Sequence, residues 1–144
     1  MLNVKIICCG TLKENYLRNA VKEYEKRLSA FCRLSLREIK EDSLNAVLPE
    51  VSAHKGYKIA LCIEGKMLSS EQLAQKIDKL ATDGNSDIAF VIGGSDGLSD
   101  DVKKLCDLRL SFSPMTFPHQ LMRVILLEQI YRAFTIINHK SYHK

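Results

Sequence analysis

Two side chains at the start of a predicted helix have the types and spacing needed for proton transfer and charge stabilisation. His119 and Arg123 stand one turn apart, at i and i+4, so they lie on one helix face. A neutral imidazole at His119 could accept a proton, and the guanidinium of Arg123 could clamp a phosphate or a developing oxyanion. The alternatives are packing of His119 against the preceding loop and an ion pair between Arg123 and Glu128 of the partner subunit.

The terminal stretch NHKSYHK has the composition of a nucleic-acid contact. Tyr142 could stack on an unpaired base while His143 and the neighbouring lysines meet phosphates. A frayed and solvated terminus is the alternative. His139 and His143 have the i, i+4 spacing of zinc ligands, but the stretch offers no third ligand, so we expect no metal.

A glycine-containing turn follows the most apolar run of the sequence, in FVIGGSDGLSDD. The spacing of Gly93, Gly94 and Gly97 differs from the dinucleotide motif G-x-G-x-x-G, which also normally follows a first strand. No Lys–Ser or Lys–Thr pair follows these glycines, which argues against a phosphate-binding P-loop. Asp96 and Asp100 would also repel a pyrophosphate. A tight turn without a ligand is the simplest alternative for an isolated pair of glycines.

Two further loops leave predicted strands, and both are short of basic residues. One is LCIEGKMLSS, from Leu61 onward, and the other is LSFSPMTFPHQLMR, residues 110–123. Ligands of open α/β sheets bind beyond the carboxyl ends of the strands. The apolar loop SPMTF needs cover, either from the core or from a flat, uncharged ligand. The three loops therefore predict a pocket for a neutral aromatic ring rather than for a phosphate.

Strands and helices alternate along the chain, which predicts one α/β domain over residues 1–144, with a mostly parallel sheet and helices on both faces. The predicted strands span 3–10, 32–40, 57–65, 87–94 and 108–113. The predicted helices span 17–28, 69–84, 98–107 and 118–137. Residues 43–55 are weakly helical and interrupted by Pro49, and the segment 41–55 as a whole is weakly patterned. Ser69 and Gln72 form a capping box, Gly84 ends that helix, and Pro118 is expected in the first turn of the last one.

The last predicted helix is apolar around most of its circumference, whereas a helix that covers a sheet needs only an apolar stripe. A central core helix is one explanation. Small α/β domains keep their helices on the outside, however, so we favour a symmetric homodimer in which a second face is buried.

Composition excludes several classes of protein. The chain of 144 residues has a net charge of +4, which permits an RNA partner without requiring one. Its five cysteines show no C-x-x-C spacing, which favours reduced thiols over a disulfide framework. We see no signal peptide and no apolar run of membrane-spanning length. We therefore expect a cytoplasmic protein without a membrane partner.

Several stretches together resemble the SPOUT class of RNA methyltransferases, and within it the ribosomal RNA large subunit methyltransferase H family. They are IEGKMLSSEQLA, FVIGGSDGL, LSFSPMTFPHQLMRVILLEQIYRAF and the terminal YHK, and with EYEKRL in the first helix the similarity runs nearly end to end. The combination of I-G-G-x-x-G, S-x-M-T-x-P-H and Y-H-K is specific, whereas each part alone is not.

The resemblance implies a C-terminal trefoil knot, a homodimer, S-adenosyl-L-methionine as the cofactor, and methylation of N3 of a pseudouridine in 23S ribosomal RNA on the assembled ribosome. The implied cofactor residues are Leu61, Gly93, Gly94, Phe112, Ser113, Pro114, Met115, Thr116 and Phe117. The candidate catalytic residues are His119, Arg123, Tyr142 and His143. A SPOUT enzyme acting on transfer RNA, and a non-catalytic ligand-binding or interaction module of the same fold, are the alternatives.

Overall fold

Five parallel strands form the centre of the protein in a computed structural model that describes residues 1–144. They are β1 (Leu2–Cys9), β2 (Cys32–Ile39), β3 (Tyr57–Met67), β4 (Asp87–Ile92) and β5 (Leu108–Ser111). Their order across the sheet is β2-β1-β4-β3-β5, and every neighbouring pair is parallel. The predicted parallel sheet is confirmed, and the carboxyl ends of all five strands point to one edge.

Five helices cover the two faces of the sheet, and they are α1 (Asn15–Leu28), α2 (Leu48–Ala53), α3 (Ser70–Thr82), α4 (Asp100–Leu105) and α5 (His119–Ile137). α1, α3 and α5 share one hydrophobic cluster with strand residues such as Ile6 and Phe90. α2 and α4 share the other cluster with the alternate strand residues, such as Ile7 and Val91. The predicted placement of helices on both faces is confirmed. None of the helices has the length and hydrophobicity of a membrane span.

Local sequence explains where several helices begin and end. The Ser69 hydroxyl accepts from the Gln72 N–H at 3.1 Å, and the Gln72 side chain accepts from the Ser69 N–H at 2.8 Å, which confirms the capping box. Gly84 follows the end of α3 with a φ of +94°, a conformation that favours glycine. Pro118 precedes α5 instead of lying in its first turn, because its ψ of 130° is extended.

α5 lies in the outer helix layer on one face of the sheet, between α1 and α3. It packs against both of these helices, so part of its apolar circumference is covered within one subunit. Leu126, Leu127 and Ile130 are completely buried, whereas Leu121 is 41% exposed. Part of the apolar circumference of α5 therefore remains uncovered in one subunit, as the predicted homodimer requires. The homodimer, the single domain and the trefoil knot stay predictions.

An irregularity in β3 shapes the carboxyl edge of the sheet. Leu61 and Lys66 both stand opposite Leu110 of β5, so residues 62–65 bulge out of the ladder. A Cβ on Gly65 would lie 2.8 Å from the backbone of Arg109, so the bulge needs a glycine at this position.

Candidate active site

A cleft of about 740 Å³ opens at the carboxyl edge of the sheet, where the segments after β3, β4 and β5 meet. Most of the residues that the resemblance assigned to the cofactor line it. They are Leu61, Gly93, Gly94, Phe112, Ser113, Met115, Thr116 and Phe117. Pro114 is exposed and does not line the cleft. The volume lies within the range of roughly 300–1,000 Å³ that is usual for small-molecule sites.

The glycines after β4 are required by the turn itself. A Cβ on Gly93 would lie 2.5 Å from the carbonyl carbon of Gly97, and one on Gly94 would lie 1.9 Å from Oδ1 of Asp42. Gly97 has a φ of +79°, and its N–H donates to the Gly94 carbonyl at 3.1 Å. The protein, rather than a ligand, fills the space beside Gly93 and Gly94, while the backbone of the same turn lines the cleft.

Asp42 holds this turn in place from the segment between β2 and α2. Its Oδ1 accepts from the Ser95 N–H at 3.1 Å, and its Oδ2 accepts from the Ser95 hydroxyl at 3.1 Å. The Leu44 carbonyl accepts from the Ser99 N–H at 3.1 Å. Sequence reasoning missed this function of the weakly patterned segment, and no local signal could have revealed it, because the two partners lie far apart in the chain.

One buried hydroxyl joins the segment after β5 to the bulge of β3. The Oγ atom of Ser111 lies 3.0 Å from the Ile63 carbonyl oxygen and 3.1 Å from that of Ser113. The Ser113 hydroxyl accepts from the Met115 N–H at 3.0 Å. Met115 itself is 73% exposed. The loop is thus held at its base by polar contacts and presents an uncovered apolar side chain near the cleft.

Charged side chains are sparse in the cleft. Lys103 contacts the carboxylate of Glu64, and this contact lowers the pKa of Glu64. No second lysine or arginine lines the cleft. A polyphosphate would therefore meet a single lysine that is already paired, which agrees with the predicted preference for a ligand without phosphate.

His119 and Arg123 lie in different environments. His119 lines the cleft, whereas Arg123 is completely buried. Nη2 of Arg123 donates to the carbonyl oxygens of Cys9 and Gly10 at 3.2 and 3.1 Å, and Nη1 contacts the Glu38 carboxylate. The predicted clamp on a substrate phosphate is therefore wrong, because the guanidinium is enclosed and bonded to its own chain. The suggested ion pair across a subunit interface is replaced by the pair with Glu38.

Tyr142 folds back onto α5 of its own subunit. Its hydroxyl donates to the Glu128 carboxylate, and its ring stands edge-on to Tyr131 with 4.8 Å between the ring centroids. The hydrogen bond to Glu128 raises the pKa of Tyr142. Glu128 follows His119 by roughly two and a half helical turns, or about 13 Å along the helix axis. Tyr142 therefore does not line the cleft of its own subunit.

His143 is held between two helices. Its Nδ1 lies 3.0 Å from Nη1 of Arg132 on α5, and its Nε2 contacts the carboxylate of Glu71 at the start of α3. The contact with His143 lowers the pKa of Glu71. His143, like Tyr142, is absent from the cleft lining. The C-terminal segment 138–144, which we call the tail, is thus anchored rather than frayed. The fold of one subunit does not bring the tail to His119.

Comparison with known proteins identifies the family of this chain. A family model described as "Predicted SPOUT methyltransferase" matches residues 2–143. The chain belongs to this SPOUT family. A "Ribosomal RNA large subunit methyltransferase H" from Alkaliphilus oremlandii (strain OhILAs) is 48% identical over 159 aligned positions, covering 99% of this chain and 100% of the relative. The protein of the same name from Clostridioides difficile (strain 630) is 47% identical over 160 positions, with coverage of 99% and 100%. The resemblance to the methyltransferase H family is confirmed.

The SPOUT fold is also found in solved structures. A probable methyltransferase from Bordetella pertussis Tohama I has a TM-score of 0.63 and 16% sequence identity, covering 92% of this chain and 95% of that chain. This likeness concerns the fold alone.

As a SPOUT methyltransferase, the protein uses S-adenosyl-L-methionine as its cofactor, as predicted. The residues of the cleft fit this group in two ways. The cofactor carries no phosphate, which agrees with the absence of a cluster of cations from the lining. Three backbone segments also border the cleft, and their N–H and C=O groups can pair with the edge of an adenine ring.

Proposed function

We propose that the protein methylates N3 of a pseudouridine in 23S ribosomal RNA, with S-adenosyl-L-methionine as the methyl donor and the assembled ribosome as the substrate. The observation that carries this proposal is that His119 lines the same cleft as the implied cofactor residues. The names of the two relatives support ribosomal RNA as the substrate class. A module that only bound the cofactor would have no need of a proton acceptor at this position.

The reaction requires alignment of the methyl group with N3 and removal of the N3 proton. When bound, the cofactor supplies a methyl group that its sulfonium already activates. The turn at 93–97 and the loop at 112–117 orient the donor and exclude water from one side of the cleft. His119 accepts the N3 proton at the mouth of this cleft, as the first residue of α5.

Arg123 contributes to the reaction by positioning the start of α5, which carries His119. Its guanidinium ties the first turn of α5 to the end of β1 through Cys9 and Gly10, and to β2 through Glu38. Because His119 lies one turn before Arg123, this anchor fixes the direction in which the imidazole enters the cleft. We therefore treat Arg123 as a positioning residue rather than as a group that touches the base.

Tyr142 and His143 act at the cleft of a second subunit in this proposal. The tail lies about 13 Å from His119 along α5 of its own chain, so a route across a homodimer interface is needed. An apolar surface supports such an interface: Leu121 is 41% exposed and Tyr16 is 68% exposed. Tyr16 lies in the first turn of α1 and Leu121 in the first turn of α5. The starts of these two helices are close together, because the Lys13 N–H donates to the Gln120 side chain at 3.4 Å. We also propose a cytoplasmic location, where the free thiols remain reduced.

Two measurements test the function. Calorimetry should show binding of S-adenosylhomocysteine, and mass mapping of 23S ribosomal RNA from a strain lacking the gene should show one pseudouridine without its methyl group. Wild-type protein should restore the methyl group, and His119→Gln should not restore it while binding the cofactor product normally. Gln75→Ala is the control, because Gln75 is an exposed polar residue of α3 outside the cleft. Unchanged mass at every pseudouridine, or restored methylation of a transfer RNA instead, would refute the proposed substrate.

The tail has its own test. A protein that ends at residue 141 should lose methylation while it keeps its affinity for S-adenosylhomocysteine and its sedimentation as a dimer. Loss of the dimer in this truncated protein would show that the tail is structural. A monomeric wild-type protein would contradict the proposed route across an interface.

A further inference from the structure

A second cleft, of about 420 Å³, lies at the amino edge of the sheet. We call it the amino-edge cleft and define it by residues 3–5, 33–35 and 53–56 together with Asp87. It lies beside the starts of β1, β2 and β4, at the opposite ends of the strands from the active site. The eight residues of β1 separate the two edges by about 23 Å, at about 3.3 Å per residue.

Three cations of the amino-edge cleft have no carboxylate partner. Lys5, Arg33 and Lys55 take part in none of the ion pairs of the chain. The single carboxylate of the cleft, Asp87, already accepts from the Asn3 amide at 3.0 Å and from the Ser86 hydroxyl at 3.2 Å. The cleft therefore holds a local excess of positive charge that the protein itself does not neutralise.

The register of the sheet brings these cations to the same face. Asn3 pairs with Arg33, and Lys5 pairs with Ser35 across β1 and β2. Paired residues of parallel strands project to the same side, so Lys5 and Arg33 point to the face that α2 covers. Lys55 follows the end of α2 on that face. Burial, and then the charges of Lys5 and Lys58, lower the pKa of the neighbouring His54.

We propose that the amino-edge cleft binds the phosphodiester backbone of the RNA substrate, outside the methyl-transfer site. This inference rests on the proposed RNA substrate. Arg33 and Lys55 are exposed and Lys5 is half-buried, so long flexible cations line an open groove. Such a groove suits a polyanion whose phosphates are spaced along a chain, and most protein contacts to nucleic acids are of this backbone type. A folded ribosomal RNA is large enough to contact both edges of the sheet at once.

Salt dependence tests the proposal directly. The variant Lys5→Gln/Arg33→Gln/Lys55→Gln removes three charges, and the matched control Lys22→Gln/Lys26→Gln/Lys104→Gln removes three exposed charges that are also unpaired. Fluorescence anisotropy measures the affinity for a labelled fragment of 23S ribosomal RNA over a range of salt concentrations. Each lost phosphate contact lowers the slope of log K against log salt by about 0.7–0.9, so the cleft variant should have a slope shallower by about 2.1–2.7.

Between roughly 50 and 200 mM salt, this difference in slope makes the loss of affinity about 20–40-fold smaller in the cleft variant than in wild type. With intact ribosomes as substrate, the KM for RNA should rise while kcat is retained. Thermal stability and affinity for S-adenosylhomocysteine should match those of wild type. If Lys5→Gln lowers the thermal stability, the variant Arg33→Gln/Lys55→Gln replaces it, with an expected change in slope of about 1.5.

An unchanged slope in the cleft variant, or an equal change in the control, would overturn the inference. Weaker binding to ribosomes with an unchanged slope on naked RNA would also overturn it, because the partner would then be an acidic protein. The outcome for the methylation proposal is separate. If wild-type protein leaves every pseudouridine unmethylated but the cleft variant still has the shallower slope, the phosphate contact stands and the proposed reaction fails.

Discussion

Replacement of Arg123 by methionine would separate a positioning role from a catalytic one. Methionine can occupy much of the same space, but it has no guanidinium. The carbonyls of Cys9 and Gly10 therefore lose their donor, and Glu38 loses its ion pair. Removing one partner of a buried ion pair lowers the free energy of unfolding by about 3–5 kcal/mol. Because the Glu38 side chain is 35% exposed and can be rehydrated, we expect the lower end, about 3 kcal/mol.

For a domain of this size, a loss of about 3 kcal/mol lowers Tm by about 6–12 °C. Differential scanning calorimetry and urea unfolding measure the effect. Arg37→Met is the matched control, because Arg37 is 58% exposed and its ion pair with Glu50 at 2.8 Å lies at the surface. Such a pair contributes less than about 1 kcal/mol. The double variant Arg123→Met/Glu38→Gln should lose less stability than the sum of the single variants, since the two side chains share one interaction.

The combination of stability and activity decides between the two roles. We expect Arg123→Met to be less stable and to bind the RNA substrate normally wherever it remains folded. A variant with unchanged Tm and abolished methylation would refute the reasoning, since it would place the guanidinium in the chemistry.

Three further perturbations probe the cleft. Asp42→Ala removes both hydrogen bonds to Ser95 in the turn at 93–97. It should weaken binding of S-adenosylhomocysteine about tenfold, or about 1.4 kcal/mol, as measured by calorimetry. Normal affinity would show that the turn does not need Asp42. Gly93→Ala places a Cβ 2.5 Å from the Gly97 backbone and should lower the free energy of unfolding by about 1–3 kcal/mol in urea, whereas an unchanged midpoint would mean that the turn yields easily. Burial and the nearby Glu64 raise the pKa of Cys62, so less thiolate exists at pH 8 and alkylation should be slower than for a free thiol. S-adenosylhomocysteine should slow this alkylation further, as measured by peptide mass mapping. Equal rates with and without the ligand would place Cys62 outside the binding site.

Local patterns were sufficient to predict the five strands and four of the five helices, whereas α2 was only weakly indicated. β4 reads DIAFVI, and every residue after its first is buried, as expected of a central parallel strand. The Ser69 capping box could be predicted because its two hydrogen bonds join residues three positions apart. The three loops of the cleft could be predicted for a related reason: in a parallel sheet, every strand end that carries a loop is brought to the same edge.

The sequence by itself thus determined the parallel sheet, most of its helix boundaries and the segments that line the cofactor cleft. The tertiary structure alone decided that Arg123 is enclosed, that Asp42 supports the glycine turn, and that the tail lies along α5. These contacts join residues 85 positions apart for Arg123 and Glu38, and 53 positions apart for Asp42 and Ser95. Periodicity and capping report hydrogen bonds and burial within a few residues, whereas a charged side chain finds its partner only after distant elements have packed. The chemical type of a residue therefore indicated what it could do, and its three-dimensional surroundings decided what it can reach.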